Sequence, residues 1–221
     1  MLSLALAASG RNGLRVLCLG AHPDDIEIGC GGLVLSLLGA RPDVEVRWVV
    51  LGAHGDRADE ARASAGGFLA GAARADVDVL DFRDGFFPGE SVRIKEWFEA
   101  LKGRIEPDLI LTHRQADRHQ DHRTVSELTW NTFRHHLVLE YEIPKYDGDL
   151  GQPNVFVPVA PETRTRKVAL LLEHFASQRG RTWFTADTFE GLMRLRGIEC
   201  ASPTGFAEAF HARKLTLGIG G

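Results

Sequence analysis

Cysteine is scarce in this chain of 221 residues, and long apolar runs are missing. Its three cysteines, Cys18, Cys30 and Cys200, are odd in number and widely spaced, which excludes a disulfide framework and indicates a reducing compartment. No stretch approaches the roughly 18 apolar residues that a membrane-spanning helix needs. The apolar start at residues 1–8 is short and follows no basic residue, unlike a signal peptide. We therefore expect a cytoplasmic protein with a short N-terminal extension and no stable membrane insertion.

A large excess of charge of one sign is also lacking. The chain has 26 lysines and arginines against 30 aspartates and glutamates, a formal net charge of -4. This balance gives no reason to expect a nucleic-acid partner. The hydrophobic content of 44% and the charged content of 25% are ordinary for a soluble globular protein. The length is sufficient for one α/β domain with a sizeable core.

Apolar runs alternate with helical patterns through the first 135 residues. Strands are predicted at residues 14–19, 44–51, 77–82 and 109–112, and helices at 29–38, 57–73, 92–104 and 122–133. This alternation predicts a Rossmann-like α/β fold, with a mostly parallel sheet and helices on both faces. Further on, strands are predicted at 137–142 and 155–159, and helices at 166–179 and 185–196. We predict one domain over residues 1–221, with a core at about 14–135 and a C-terminal α/β elaboration at about 136–221.

Two short motifs rich in histidine and aspartate follow predicted strands. The first reads AHPDD at residues 21–25, and the second reads HQDH at residues 119–122. Ligands of such folds lie beyond the carboxyl ends of the strands, and imidazole and carboxylate groups suit a divalent cation. Each motif alone has a plainer interpretation: a polar turn with Asp25 as a helix cap, or a solvated loop with surface histidines. Both motifs at one edge of a sheet favour a catalytic metal with an attendant base.

Three glycines after the first motif invite comparison with a dinucleotide-binding loop. Gly29, Gly31 and Gly32 do not have the G-x-G-x-x-G spacing, and HPDD occupies the turn where phosphates would lie. Two carboxylates there would repel a pyrophosphate. The glycines are better explained by close packing of a helix on the sheet.

The pair of motifs resembles the PIG-L/LmbE-like zinc-dependent N-deacetylases. The first motif of that family is AHPDD, and the second commonly reads HPDH, with Gln120 here in place of proline. Four weaker elements also resemble the family: the R-x-x-E helix start at residues 57–60, the Asp-Gly pair at 84–85, the HFASQ segment at 174–178 and the AEAF segment at 207–210. The similarity runs from about residue 14 to residue 212.

The resemblance implies a hydrolase, similar to GlcNAc-PI de-N-acetylase, that acts on linear amides. Its substrate would be an N-acetylglucosamine-type amino-sugar conjugate, and its products acetate and a free amine. It implies one zinc ion per chain, although other divalent metals are not excluded. Carried over by motif position, it assigns His22, Asp25 and His122 as zinc ligands, Asp24 as the general base, His119 as an electrostatic or acid group oriented by Asp121, and Arg57 and Asp84 as substrate-binding residues.

Several alternatives stay open on sequence alone. The chain could be a zinc amidohydrolase for a different acyl group, or a sugar- or nucleotide-binding module that kept the fold without catalysis. Either Asp24 or His119 could protonate the leaving amine. His54 and His113 lie near the same predicted edge, where they would support the ligands or lie at the surface. Relatives commonly form trimers or hexamers, so a homo-oligomer stands as an alternative to a monomer.

Overall fold

The computed structural model describes residue 6 and residues 13–216, so the predicted N-terminal extension lies almost wholly outside the described residues. Within these residues, seven strands form one sheet and six α-helices flank it. The strands are β1 Leu14–Gly20, β2 Val44–Val50, β3 Arg74–Val79, β4 Leu109–His113, β5 Leu137–Tyr141, β6 Val155–Pro158 and β7 Ala207–Ala212. The helices are α1 Asp25–Ala40, α2 Asp56–Phe68, α3 Ser91–Lys102, α4 Gln120–Thr132, α5 Pro161–His174 and α6 Ala186–Glu199. None of the helices in this part of the chain is long and apolar enough to cross a bilayer.

The strands lie in the order β3-β2-β1-β4-β5-β7-β6. Strands β1 to β5 run parallel, and β7 runs antiparallel to both β5 and β6. Strand β1 pairs on one side with β2 and on the other with β4, with Cys18 opposite Trp48 and Leu111. The strand order therefore reverses at β1, and a crevice opens beyond the carboxyl ends of β1 and β4. This confirms the predicted Rossmann-like, mostly parallel sheet.

Each face of the sheet carries its own hydrophobic cluster, because successive side chains of a strand point to opposite faces. On one face, α1, α2, α5 and α6 bury residues such as Phe68 and Leu171 against Trp48. On the other face, α3 and α4 bury Phe98 and Val125. Burial on both faces explains why the central strands read as continuous apolar runs.

The main departures from the predicted elements occur at the ends of helices and in the C-terminal part. Helix α1 begins at Asp25 rather than at residue 29, and α2 ends at Phe68 rather than at residue 73. Glycine disfavours helix, and Gly66, Gly67 and Gly71 lie where α2 ends. Strand β3 covers Arg74–Val79 rather than residues 77–82. Strand β7 was not predicted as a strand, because its sequence AEAFHA has no continuous apolar run.

A buried ion pair attaches the middle of α1 to the C-terminal part of the chain. The Glu208 carboxylate of β7 accepts hydrogen bonds from the backbone N–H groups of Gly32 and Leu33, both at 2.7 Å. Lys167 of α5 donates to Glu208 Oε1 at 2.6 Å and to the Ile28 carbonyl at 2.7 Å. A Cβ atom on Gly32 would lie 2.8 Å from Glu208 Oε1, so this approach requires glycine.

We expect Glu208→Ala to destabilise the fold strongly. It leaves the Lys167 ammonium buried without its carboxylate, which typically costs about 3–5 kcal/mol. The measurement is the free energy of unfolding in urea. The control is Glu190→Ala, whose partner Arg164 lies in a partly exposed pair at 3.6 Å and whose loss should cost below about 1 kcal/mol. Equal, small losses in the two variants would contradict the structural role of the buried pair.

A second buried carboxylate joins α1 to α2. Glu27 is fully buried; its Oε1 accepts a hydrogen bond from Ser64 Oγ at 2.6 Å, and its Oε2 has no partner among the described residues. Burial raises the pKa of Glu27 from 4.5 to about 7, although the Ser64 hydrogen bond opposes the shift. The folded protein therefore favours the neutral acid at this position.

Glu27 should make the metal-free protein less stable as the pH rises. A carboxyl group whose pKa is raised on folding contributes stability below pH 4.5, and that contribution is lost as the pH rises through about 7. The shift corresponds to about 3 kcal/mol at most. Glu27→Gln should remove this part of the slope of unfolding free energy between pH 5 and pH 8. Exposed Glu127→Gln is the control, and an unchanged slope in Glu27→Gln would refute the assignment.

Candidate metal centre

The first motif forms a fixed turn between β1 and α1. Asp24 has φ 87°, in the left-handed region that residues other than glycine seldom adopt. It occupies the N-cap of α1, yet its side chain makes no capping hydrogen bond with the described part of the chain. The carboxylate of Asp25 accepts a hydrogen bond from the backbone N–H of His22 at 2.7 Å. The strained turn thus separates the two adjacent carboxylates into different environments.

The structure brings the three predicted metal ligands together in the crevice between β1 and β4. Nδ1 of His22 lies 3.3 Å from Nε2 of His122 and 3.4 Å from Oδ2 of Asp25. Nε2 of His122 lies 3.5 Å from Oδ1 of Asp25. His122 comes from the first turn of α4, and the other two come from the turn after β1. The adjacency of β1 and β4 therefore produces the cluster.

Both histidines of this trio are backed by carboxylates on their other ring nitrogen. Nε2 of His22 lies 3.1 Å from both Asp121 and Asp84, and Nδ1 of His122 lies 3.0 Å from Asp117. Metal-binding histidines typically donate their second N–H to a carboxylate, which fixes the tautomer and the orientation of the ring. Each ring can therefore present a bare nitrogen to the same point in space.

Around this point the described residues form three overlapping groups that could hold a metal ion. They are His22, His119 and His122; Asp25, His113 and His122; and His22, Asp84 and Asp121. The predicted trio takes two members from each of the first two groups. The structure thus offers more donors than one ion needs.

His113 lies beneath the cluster and is fully buried, whereas His54 is exposed. Nε2 of His113 accepts the Ala21 N–H at 2.9 Å and lies 3.2 Å from Asp25 Oδ2, and its ring stacks on His122 with centroids 3.9 Å apart. An Nε2 that accepts a hydrogen bond leaves the proton on Nδ1, which has no partner among the described residues. His113 therefore supports the candidate ligands His122 and Asp25 from beneath.

Burial and neighbouring charges separate the protonation states of the cluster. Burial raises the pKa of Asp25, but its interactions with the imidazoles of His122 and His113 outweigh burial and hold that pKa well below its usual range. Burial and the neighbouring imidazole of His113 lower the pKa of His122 to about 4. Burial lowers the pKa of His22, but hydrogen bonds to Asp121 and other carboxylates raise it well above its ordinary value. Asp25 is therefore ionised and His122 neutral, which are the forms that bind metals, whereas His22 is protonated without a metal and releases a proton on binding one.

Asp24 has a different environment from Asp25. Its side chain is buried and lies 3.5 Å from Nη2 of Arg57. Burial raises the pKa of Asp24 well above its ordinary value, although the Arg57 charge opposes the shift. A buried carboxylate with a raised pKa beside a metal site has the property expected of a general base at neutral pH.

Asp121 contacts His119 through its backbone N–H rather than through its carboxylate. The Asp121 carboxylate faces His22 and accepts the backbone N–H groups of Gly85 at 2.6 Å and Phe87 at 3.1 Å. The Nδ1 atom of His119 instead accepts the backbone N–H of Asp121 at 3.3 Å. Burial and the charge of His22 lower the pKa of His119, so its ring is neutral at pH 7 rather than charged.

The two predicted substrate-binding residues lie on either side of the cluster. Arg57 donates to the Pro23 carbonyl at 2.8 Å and to Ser177 Oγ at 3.2 Å, which ties the first motif to the HFASQ segment. Asp84 is largely exposed and contacts His22 through Oδ1. Both residues therefore border the cluster, and their predicted substrate-binding role stays a prediction.

Sequence reasoning gave Asp117 no role in the site and placed His113 either in support of the ligands or at the surface. Asp117 belongs to the loop between β4 and α4, and nothing in its immediate sequence distinguishes it from a solvated loop residue. Asp117 lies five residues before His122, and the start of α4 brings the two side chains into contact. That spacing is the sequence feature that could have pointed to its role. His113 was visible as a polar residue that ends an apolar strand.

Comparison with known proteins identifies the family. The family model "PIG-L: GlcNAc-PI de-N-acetylase" matches residues 17–133. The uncharacterized deacetylase YaiS of Escherichia coli (strain K12) is 31% identical over 186 residues, which cover 79% of this chain and 97% of YaiS. The match to the family model includes both motifs that form the cluster.

Solved structures share the fold at lower sequence identity. The N,N'-diacetylchitobiose deacetylase of Pyrococcus horikoshii has a TM-score of 0.66 at 18% identity, covering 90% of this chain and 83% of that chain. GalB, the 4-carboxy-2-hydroxymuconate hydratase of Pseudomonas putida KT2440, has a TM-score of 0.70 at 16% identity, covering 94% and 99%. The fold therefore supports more than one reaction. The family model and the relative YaiS carry the assignment, and this chain belongs to the PIG-L (GlcNAc-PI de-N-acetylase) family of deacetylases.

Proposed function

We propose that this chain is a zinc-dependent N-deacetylase that acts on an N-acetylglucosamine-type amino-sugar conjugate and releases acetate and a free amine. The observation that carries the proposal is that the two adjacent carboxylates of the first motif lie in different environments. Asp25 joins His22 and His122, whereas Asp24 is buried beside them, is not a ligand in the trio and makes no capping hydrogen bond through its side chain with the described residues. Family membership and the deacetylases among its relatives support amide hydrolysis.

The donor set fits zinc. Zinc binds imidazole nitrogen and carboxylate oxygen at about 2.0–2.2 Å, so tetrahedral ligand atoms lie about 3.3–3.6 Å apart. Nδ1 of His22 and Nε2 of His122 are 3.3 Å apart, within that range. Asp25 approaches the two rings through different oxygens, with Oδ2 3.4 Å from His22 and Oδ1 3.5 Å from His122. Three protein ligands also leave one position open, as catalytic zinc sites do. We propose one zinc per chain, held by His22, Asp25 and His122.

Held by these residues, zinc would supply a Lewis acid for the amide carbonyl and would lower the pKa of a water to roughly 7. Asp24 accepts the proton of the water that attacks the acetyl carbonyl, because it is buried beside the trio and its raised pKa makes it a stronger base than an exposed aspartate. Arg57, 3.5 Å from Asp24, keeps the ionised form accessible.

His119 lies beside His22 and His122 and can serve the tetrahedral stage of the reaction. Its ring centroid lies 4.9 Å from that of His22 and 4.6 Å from that of His122. Because its Nδ1 accepts a backbone N–H, the neutral ring carries its proton on Nε2. That N–H can donate to the developing oxyanion. The leaving amine then takes the proton held by Asp24.

The remaining parts of the proposal concern the substrate's surroundings and the whole chain. Arg57 and the exposed Asp84 are proposed to hydrogen-bond the sugar beside the cluster. A cytoplasmic location fits the three cysteines, which are all buried thiols. A single domain and a homo-oligomer stay as predictions from sequence.

We expect Asp24→Asn to lower kcat for acetate release by at least about 100-fold, because the amide keeps the shape but cannot accept a proton. Zinc content should stay near one per chain, since Asp24 is not a ligand. The measurement is acetate release from N-acetylglucosamine conjugates with different aglycones, on zinc-loaded protein. Asp59→Asn, in a largely exposed surface pair with Arg62, is the control and should retain full activity.

Three results would contradict parts of this account. Full activity in Asp24→Asn would remove Asp24 from the mechanism. Zinc-dependent release of another acyl group, with no release of acetate, would identify a different amidohydrolase. Binding of a sugar without any chelator-sensitive turnover would identify a non-catalytic module.

A further inference from the structure

Lys145 lies beyond the carboxyl end of β5, beside the metal centre. Its ammonium lies 2.8 Å from Asp117 Oδ2 and 2.8 and 2.7 Å from the two carboxylate oxygens of Asp149. The three side chains are nearly buried, with exposed fractions of 11% for Lys145, 3% for Asp117 and 6% for Asp149. One ammonium thus joins two buried carboxylates.

The Asp117 carboxylate sets the geometry of both histidines in the second motif. Its Oδ2, which binds Lys145, also accepts Nδ1 of His122 at 3.0 Å. Its Oδ1 accepts the backbone N–H of His119 at 2.8 Å. The ring of the candidate ligand and the backbone of the candidate acid therefore depend on one carboxylate.

Asp149 holds the same loop from its other side. Its Oδ2 accepts the backbone N–H of Arg118 at 2.7 Å, and its carbonyl accepts Nη1 of Arg114 at 2.6 Å. Lys145 and Asp149 together connect the segment after β5 to the loop that carries the second motif.

We propose that Lys145, paired with Asp149, is a positioning residue for the metal centre: it fixes the Asp117 carboxylate so that His122 presents Nε2 to the metal. This inference rests on the proposed function, because it takes His122 as a ligand. Without the ammonium, two buried carboxylates would face each other unpaired, and their repulsion would displace Asp117. His122 would then lose the acceptor that orients its ring.

The test compares Lys145→Met with a matched lysine away from the site. Lys95 also has three acceptors, at 2.5, 2.8 and 3.0 Å, but it joins α3 to the far end of α4. We expect Lys145→Met to weaken zinc binding by about 10–100-fold, the usual effect of losing support behind a ligand. Lys95→Met should bind zinc like the wild type. The zinc dissociation constant is measured by competition with a chromophoric chelator, and thermal unfolding of the metal-free proteins is measured in parallel.

The outcomes separate a positioning role from plain stability. Weaker zinc binding in Lys145→Met, with a smaller loss in Lys145→Arg, supports the proposal. Wild-type zinc affinity in Lys145→Met, even with reduced thermal stability, overturns it. If Lys145→Met fails to fold, Asp149→Asn replaces it in the zinc-affinity measurement, and we again expect weaker zinc binding. If the wild-type chain binds zinc but releases no acetate, the proposed substrate is refuted and the comparison of zinc affinities still tests the role of Lys145. If the wild-type chain binds no zinc, the proposed function and the role of Lys145 are both overturned.

Discussion

The parallel pairing of β1 with β4 is the constraint on which the rest of the site depends. It places two motifs that are about a hundred residues apart in the sequence at the edges of one crevice. The turn after β1 then contributes His22, Asp24 and Asp25, and the first turn of α4 contributes His122. A shift of either strand would separate the ring nitrogens that now lie 3.3 Å apart.

Collecting so many ionisable groups in a buried crevice is unfavourable unless each has a partner. In this structure each histidine ligand is paired with a carboxylate, and that carboxylate has further partners of its own. His122 is backed by Asp117, and Asp117 by Lys145. His22 is backed by Asp121, whose carboxylate accepts two backbone N–H groups from the loop after β3. The helix that begins with Asp25 is itself held at its middle by the carboxylate of β7.

Much of this arrangement could be predicted from the sequence, because it follows from local patterns. Apolar runs bounded by polar turns predicted the central strands, and the two motifs predicted which histidines and aspartates would meet. The contacts of Asp121 and Asp117 could not be predicted, because they depend on how the loop after β4 folds against other segments. Strand β7 was not predicted, because its own short sequence has no continuous apolar run. Its pairing partners, β5 and β6, lie far from it in the sequence.

The central claim concerns which atoms hold the metal, since the crevice offers alternative donors. The most direct measurement is the anomalous scattering of zinc in a crystal of the zinc-loaded protein. The account predicts one zinc peak about 2.0–2.2 Å from Nδ1 of His22, Nε2 of His122 and a carboxylate oxygen of Asp25. A peak bound instead by His113, or by Asp84 and Asp121 on the other nitrogen of His22, would contradict it.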